Sequence, residues 1–325
     1  MRSGYLGRRL ASALLTILML MVINFFLFRA MPGSPERILL RGIPNVTEEM
    51  KQAAKERWGL DKPVFPDQFL AYMGATVRGD LGFSFVARGK PVAEVMGQRI
   101  WPTIILFGIG ELLAIIIGLA LGAYTGWKRG GPVDHLGNGV SLVLYATPYF
   151  LLGMMFLVIF SVALHWFPPF GMLTAGMHYN SIWDRALDFG SHLTLPLVAV
   201  TLGLIGQYAI VMRSSIVETL SEDYVTTARG MGLTERRVLR HHALPNALLP
   251  TVSLIAINLG YIVAGAITIE VVFNWPGLGT LVVEALTARD YPVLQGTFLL
   301  LGVSVVLANL AADLVYAALD PRVRS

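Results

Sequence analysis

Six apolar runs constrain this chain more than any other feature, because each can cross the roughly 30 Å hydrocarbon core of a bilayer as a helix of about 20 residues. They cover Leu10–Phe28, Trp101–Tyr124, Val140–Leu164, Leu193–Met212, Thr251–Phe273 and Gly296–Tyr316. The expected fold class is all-α and integral to the membrane, with six transmembrane helices. Composition agrees: 55% of the 325 residues are hydrophobic and only 14% are charged, against roughly 25% charged in soluble globular domains. An ordinary soluble enzyme is thereby excluded. The chain has no cysteine, which excludes disulfides, thiolate metal sites and Cys nucleophiles. The first run follows Arg2, Arg8 and Arg9. It is longer than a signal-peptide core, and Arg29 and Met31 make no small-residue cleavage site, so it reads as a retained span.

Orientation follows from the basic residues of the short connections. One side collects Arg2, Arg8, Arg9, Lys128, Arg129, Arg213, Arg229, Arg236, Arg237, Arg240, Arg322 and Arg324, whereas the other offers Arg185 and Arg289. This asymmetry predicts that both termini and the charged stretch Ser221–Pro250 are cytoplasmic. It also accounts for the net charge of +4 by membrane side, so nucleic acid is not an expected partner. The resulting organisation is a cytoplasmic N-terminus (1–9), a first span (10–28), an extracytoplasmic cap loop (29–100), a membrane core (101–317) carrying a charged loop (213–250), and a cytoplasmic C-terminus (318–325).

The cap loop is expected to form helices and turns. Thr47 can cap a helix beginning at Glu48 and Gly59 can stop it, while Pro63, Pro66 and Gly79–Gly82 punctuate the rest. The Asn45-Val46-Thr47 sequon reads as part of that cap. Within the apolar runs fall Asn24, Glu111, Gln207, Asn258, Glu270 and Asp313; polar groups at such depth must face the bundle, a pore or the interface. Glu270 and Asp313 lie near span ends and read as interfacial. Glu111, ten residues beyond Trp101, is the leading candidate for a pore-facing or gating group, with a paired carboxylate as the other reading. Gly118, Gly122 and Gly126 recur every fourth residue and predict a close-packing helix face rather than chemistry.

The charged stretch reads locally as two short helices. The first covers Tyr224–Met231 and is closed by Gly232 in a left-handed conformation. Thr234 is positioned to cap the second, Glu235 favours its first turn, and Leu233 and Val238 have the spacing of a hydrophobic staple. Pro245 and Pro250 are expected to end the segment. Catalytic signatures are missing: Gly89-Lys90 lacks the flanking residues of a phosphate-binding loop, and neither Gly-x-Ser-x-Gly nor His-Glu-x-x-His occurs. His241 and His242 are adjacent and point apart on a helix; His165, His178 and His192 read as scattered and solvated. The chain is expected to be non-catalytic and to bind no cofactor or metal, with any energy from nucleotide supplied by a partner.

Ala228, Gly232 and Leu244-Pro245 fall in the register of the cytoplasmic loop of ABC importer permeases, Glu-Ala-Ala-x-x-x-Gly, nine residues, then Ile-x-Leu-Pro. Thr226, Thr227 and His242 replace the Glu, the first Ala and the Ile. The similarity extends over nearly the whole chain. It includes PGSPERILL at Pro32–Leu40, WGLDKPVFPDQFLAYM at Trp58–Met73, GDLGFSF at Gly79–Phe85, IEVVFNWPGLGTLVVEALTARDYPVLQG at Ile269–Gly296, and the closing DLVYAALDPRVR. In this order the chain resembles the peptide/nickel importer permease family, specifically the first of its two permease subunits.

The resemblance implies a type I importer fold in a bacterial plasma membrane, with Ser221–Leu244 as a coupling helix seated in a groove of a cytoplasmic ATPase subunit. The implied coupling residues are Asp223, Tyr224, Ala228, Arg229, Gly232, Leu233, Glu235, Arg236, Leu244 and Pro245. Ala228 and Gly232 would permit close approach, and Arg229, Glu235 and Arg236 would make charged contacts. Glu222 or Asp223 would stand in for the acidic residue missing at Thr226. Glu111, Asn258, Glu270 and Trp275 are the translocation-path candidates. The implied partners are a homologous second permease, one or two ATPase subunits carrying ATP and Mg, an extracytoplasmic solute-binding protein, and membrane lipid. Short peptides are the leading cargo, with nickel chelates, glutathione or other small solutes as alternatives. A rival reading is a proton-coupled transporter with Glu111 or Asp313 as relay. It leaves Ser221–Pro250 unexplained, and the inverted repeats and broken helices it calls for are not evident in the sequence. A second rival is an assembly protein that transports nothing.

Overall fold

The computed structural model describes residues 3–30, 47–50, 52, 61–87, 89–264 and 267–319. Outside them lie Asn45 and Val46 of the sequon, Gly59, the PGSPERILL segment, and Arg2, Arg322 and Arg324. The described helices are α1 (Ser3–Ala30), α2 (Phe69–Val77), α3 (Val92–Trp127), α4 (Pro132–Ala146), α5 (Tyr149–Phe156) and α6 (Ile182–Thr219). They continue with α7 (Asp223–Gly230), α8 (Glu235–Val238), α9 (Leu244–Ala264), α10 (Ile267–Val272), α11 (Leu278–Ala288) and α12 (Tyr291–Leu319). Among the described residues five helices are long and apolar enough to cross a membrane, or six if one bent pair is a single span.

That bent pair corrects the third expected span. The helix begins earlier, at Pro132, and α4 meets α5 and its π-helical continuation Leu157–Ala163 at 92°. The break has a local cause: Thr147 is extended (φ −91°, ψ 119°), as the residue before a proline is pushed to be, and Pro148 then opens α5. The fifth expected span also differs. Pro245 and Pro250 do not stop the chain. It coils on from Glu235, and a π-helical turn at Leu239–Ala243 ends two residues before Pro245. The wider turn makes room for a ring that would otherwise meet the preceding carbonyl. The apolar run expected over Thr251–Phe273 is divided between α9 and the short α10.

The glycine stripe does what its spacing predicts. A Cβ on Gly118 would lie 2.6 Å from that of Tyr208, one on Gly126 would lie 2.9 Å from the Arg213 carbonyl, and one on Gly122 would collide with the Ala209 carbonyl. α3 and α6 therefore touch backbone to backbone over two turns, a contact that only small residues allow. At one end of this pair Arg213 forks onto Asp134 of α4 (Nε–Oδ1 2.5 Å, Nη2–Oδ2 2.8 Å). Asp134 also accepts the Gly130 N–H at 2.9 Å, so a tight turn and two helices share one carboxylate. α1 lies along α12, tied by Arg9–Asp313 at 2.7 Å and by Asn24 Nδ2 to the Gln295 carbonyl at 3.0 Å. Asp313 is partly exposed in that pair.

The cap is bound to the core through side chains distant in sequence. Phe69 of α2 packs on Phe25 and Phe26 of α1 at 5.4 and 5.8 Å between ring centres. Ser84 donates to Asp290 at 2.5 Å, and the Phe85 and Val86 N–H groups donate to the same carboxylate at 3.1 and 3.0 Å. Two segments singled out in the sequence, around Gly79–Phe85 and Ala288–Tyr291, thus form one clamp. Thr47 accepts the Met50 N–H at 3.3 Å, the bond expected of a helix cap. One histidine departs from expectation. His192 is buried, with Nδ1 2.9 Å from the Asp188 carbonyl, because it falls on the packed face of α6; His165 and His178 are exposed.

Candidate functional site

The charged stretch folds into the helix–Gly–helix unit that its residues dictate. After α7, Gly232 takes φ +79°; the Gly232 N–H bonds the Arg229 carbonyl at 2.9 Å and the Leu233 N–H bonds that of Ala228 at 3.4 Å. This is the paired closure of a Schellman motif. Thr234 holds the cap position of α8 in extended conformation, but its hydroxyl makes no capping bond; its carbonyl instead accepts from Arg237 and Val238. Arg229 and Glu235 are joined fork to fork, Nε–Oε1 at 2.8 Å and Nη2–Oε2 at 3.2 Å. The neighbouring carboxylate raises the Arg229 pKa above its usual value.

An apolar cluster welds this unit to the membrane helices. Val225, Ala228, Val238 and Ala243 are at most 1% exposed and pack with Met212 and Ile216 of α6 and Ala247 of α9. Ala228 is thus turned into the chain's own core, and Leu233 and Leu244 pack at its margin. The outward face includes Asp223, Tyr224, Arg229, Met231, Gly232, Glu235, Arg236 and Pro245; of these Met231, 68% exposed, carries no role in the sequence reading. A large apolar side chain beside a turn glycine, in an otherwise charged loop, is the signal that would have found it. At Gly232 nothing lies within 4 Å of an added Cβ, so in the chain by itself this residue serves the backbone angle.

The four intramembrane candidates fall into two groups about two clusters. In the first, Tyr208 of α6 donates a short hydrogen bond to Glu111 of α3 and accepts one from Asn258 Nδ2 of α9 at 2.9 Å. Glu111 is 3% exposed and Tyr208 is fully buried. The neighbouring Gln207 drew notice in the sequence, whereas Tyr208 carries the network. In the second cluster Glu270 is fully buried, which corrects its interfacial reading. It accepts from the Thr103 hydroxyl at 2.6 Å and from the N–H groups of Gly279 and Thr280 at 2.7 and 3.2 Å. A carboxylate at the N-terminus of α11 satisfies donors that no helix can satisfy internally. Trp275, also fully buried, donates from Nε1 to the Pro102 carbonyl at 2.9 Å. Glu270 and Trp275 together fasten the Asn274–Gly279 turn to α3.

Apolar spans thus pack around a backbone-to-backbone helix pair, and a charged helix pair is fixed to one end of it. Residues 114–325 match the family of binding-protein-dependent transport system inner membrane components, and residues 3–104 match the N-terminal region of such components; the chain belongs to this family. It is 38% identical over 320 residues, covering 98% of both chains, to a protein of Brucella suis biovar 1 (strain 1330) provisionally named a peptide permease. It is 34% identical over 322 residues, 99% of both, to the glutathione transport system permease protein of Escherichia coli (strain K12). Among solved structures, the inward-facing methionine ABC transporter aligns with a TM-score of 0.57 at 18% identity, over 71% of this chain and 99% of that one. The chain is a multi-pass inner-membrane permease subunit of an ABC importer, as the sequence resemblance implied.

Proposed function

We propose that this chain forms half of the translocation pathway of an ATP-driven importer of short peptides. The other half is a homologous permease. ATPase subunits, which hold the ATP and Mg, dock on the face of α7 and α8, and an extracytoplasmic solute-binding protein delivers cargo on the opposite side. Both termini are cytoplasmic in a bacterial plasma membrane, and this chain itself catalyses nothing. The cargo class rests on the full-length similarity to permeases named for peptides and for glutathione.

The observation that carries the coupling role is the closed apolar cluster beneath the docking loop. Val225, Ala228 and Val238 pack on Met212 and Ile216, so the loop cannot shift without displacing the ends of α6 and α9. Closure of the ATPase pair would push on Tyr224, Met231 and Arg236, and the spans would follow as a body. Alternating access then draws on the different contacts made in the two states. The deciding experiment is purification of the tagged chain from native membranes, followed by reconstitution in vesicles with whatever accompanies it. A second permease and ATPase subunits, with peptide uptake that requires ATP and a binding protein, are expected. Uptake driven by a proton gradient without ATP, and lost in Glu111→Gln, would overturn the reading in favour of a proton-coupled transporter.

A further inference from the structure

We propose, resting on that peptide-importer reading, that Glu111 is an intramembrane docking site for the cationic amino terminus of the cargo. Glu111 is 3% exposed in the middle of α3. No Arg, Lys or His among the described residues forms an ion pair with it; pairs formed elsewhere include Arg9–Asp313, Arg99–Glu284, Arg213–Asp134 and Arg229–Glu235. A carboxylate at membrane depth is costly unless it meets a counter-charge or serves a pathway. Its hydrogen bond with Tyr208 does not by itself call for a charge, because a glutamine carbonyl would accept from the same hydroxyl.

The surroundings suit an ammonium group. Glu111 lines a cavity of about 100 Å³ together with Phe107, Tyr149, Asn258 and Tyr261. Three aromatic side chains and one carboxylate supply the kinds of group that attract a cation. The cavity is open on one side and too small to enclose a whole peptide. Only the terminus of the cargo enters, and the remainder stays in the path. Tyr261 is 56% exposed, so the cavity is reached from the flank of α9 rather than through the helix core. Tyr208 holds the carboxylate in place, and Asn258 in turn donates to Tyr208.

The test uses the complete importer in vesicles, with the loaded binding protein at saturation. Initial uptake rates are compared for a tripeptide with a free amino terminus and for its N-acetylated form. The binding protein is the same throughout, so its own selectivity cancels when variants are compared. Glu111→Gln is expected to lower the free-amine to N-acetyl rate ratio on the order of ten-fold, as loss of a charge-assisted bond implies. Tyr261→Leu, at an exposed position that does not threaten the fold, is expected to lower the same ratio several-fold. If both peptides lose rate equally, or if the ratio in Tyr261→Leu equals that of the wild type, the proposal fails while the importer reading stands. A wild-type complex that turns over ATP with loaded binding protein yet imports neither peptide overturns both.

Discussion

The turn that leads into α11 depends on one carboxylate, and Glu270→Ala should expose how much. The substitution leaves the buried N–H groups of Gly279 and Thr280 without an acceptor, while the Thr103 hydroxyl can turn to the Arg99 carbonyl at 3.4 Å. Two orphaned buried donors at about 1–3 kcal/mol each, with the favourable charge at the helix N-terminus also lost, give a cost of about 3–6 kcal/mol. Glu270→Gln behaves differently. Its carbonyl can still accept both N–H groups and its amide can donate to Thr103, whose oxygen already accepts the Leu278 N–H at 2.8 Å. Removal of a buried charge offsets part of the remaining loss, so the amide variant should lie within about 1 kcal/mol of the wild type. The measurement is the unfolding midpoint of the purified subunit in mixed micelles, paired with protease cleavage within residues 274–290. Alanine and glutamine variants that are equally destabilised would refute the acceptor argument; two neutral variants would refute the anchoring of the turn altogether.

Other expectations follow from the same geometry. Gly122→Val should force α3 and α6 apart, at a cost of about 3 kcal/mol, and cross-linking between engineered cysteines on these two helices should weaken in step. Arg213→Ala should cost about 3 kcal/mol, because it strands the buried Asp134, whereas Arg229→Ala removes an exposed pair and should cost less than about 1 kcal/mol; a double-mutant cycle on each pair separates them. Gly232→Val should strain the left-handed turn by about 1–2 kcal/mol without collision, leaving the subunits co-purifying while ATP-coupled uptake falls. Unchanged uptake in that variant would sink the coupling role of the loop.

Several features of this protein were legible in one dimension because their causes are local. That apolar helices cross the membrane follows from runs of apolar residues, though not their full lengths, and the Gly118–Gly122–Gly126 face follows from helical periodicity. The closure of α7 at Gly232 follows from the one residue type that adopts φ +79° without strain. Tertiary structure decided the rest, because it turns on partners far apart in the chain. Glu270 is an anchor and not an interfacial charge because Thr103, far away in sequence, meets it beneath α11. Ala228 faces inward because α6 and α9 close over it. Pro148 breaks its span while Pro245 does not, since an extended Thr147 precedes the first and a π-helical turn the second. Composition could identify Glu111 as costly in lipid; only packing could give it Tyr208, Asn258 and a cavity, because a buried polar group acquires its role from whatever the fold brings within hydrogen-bond reach.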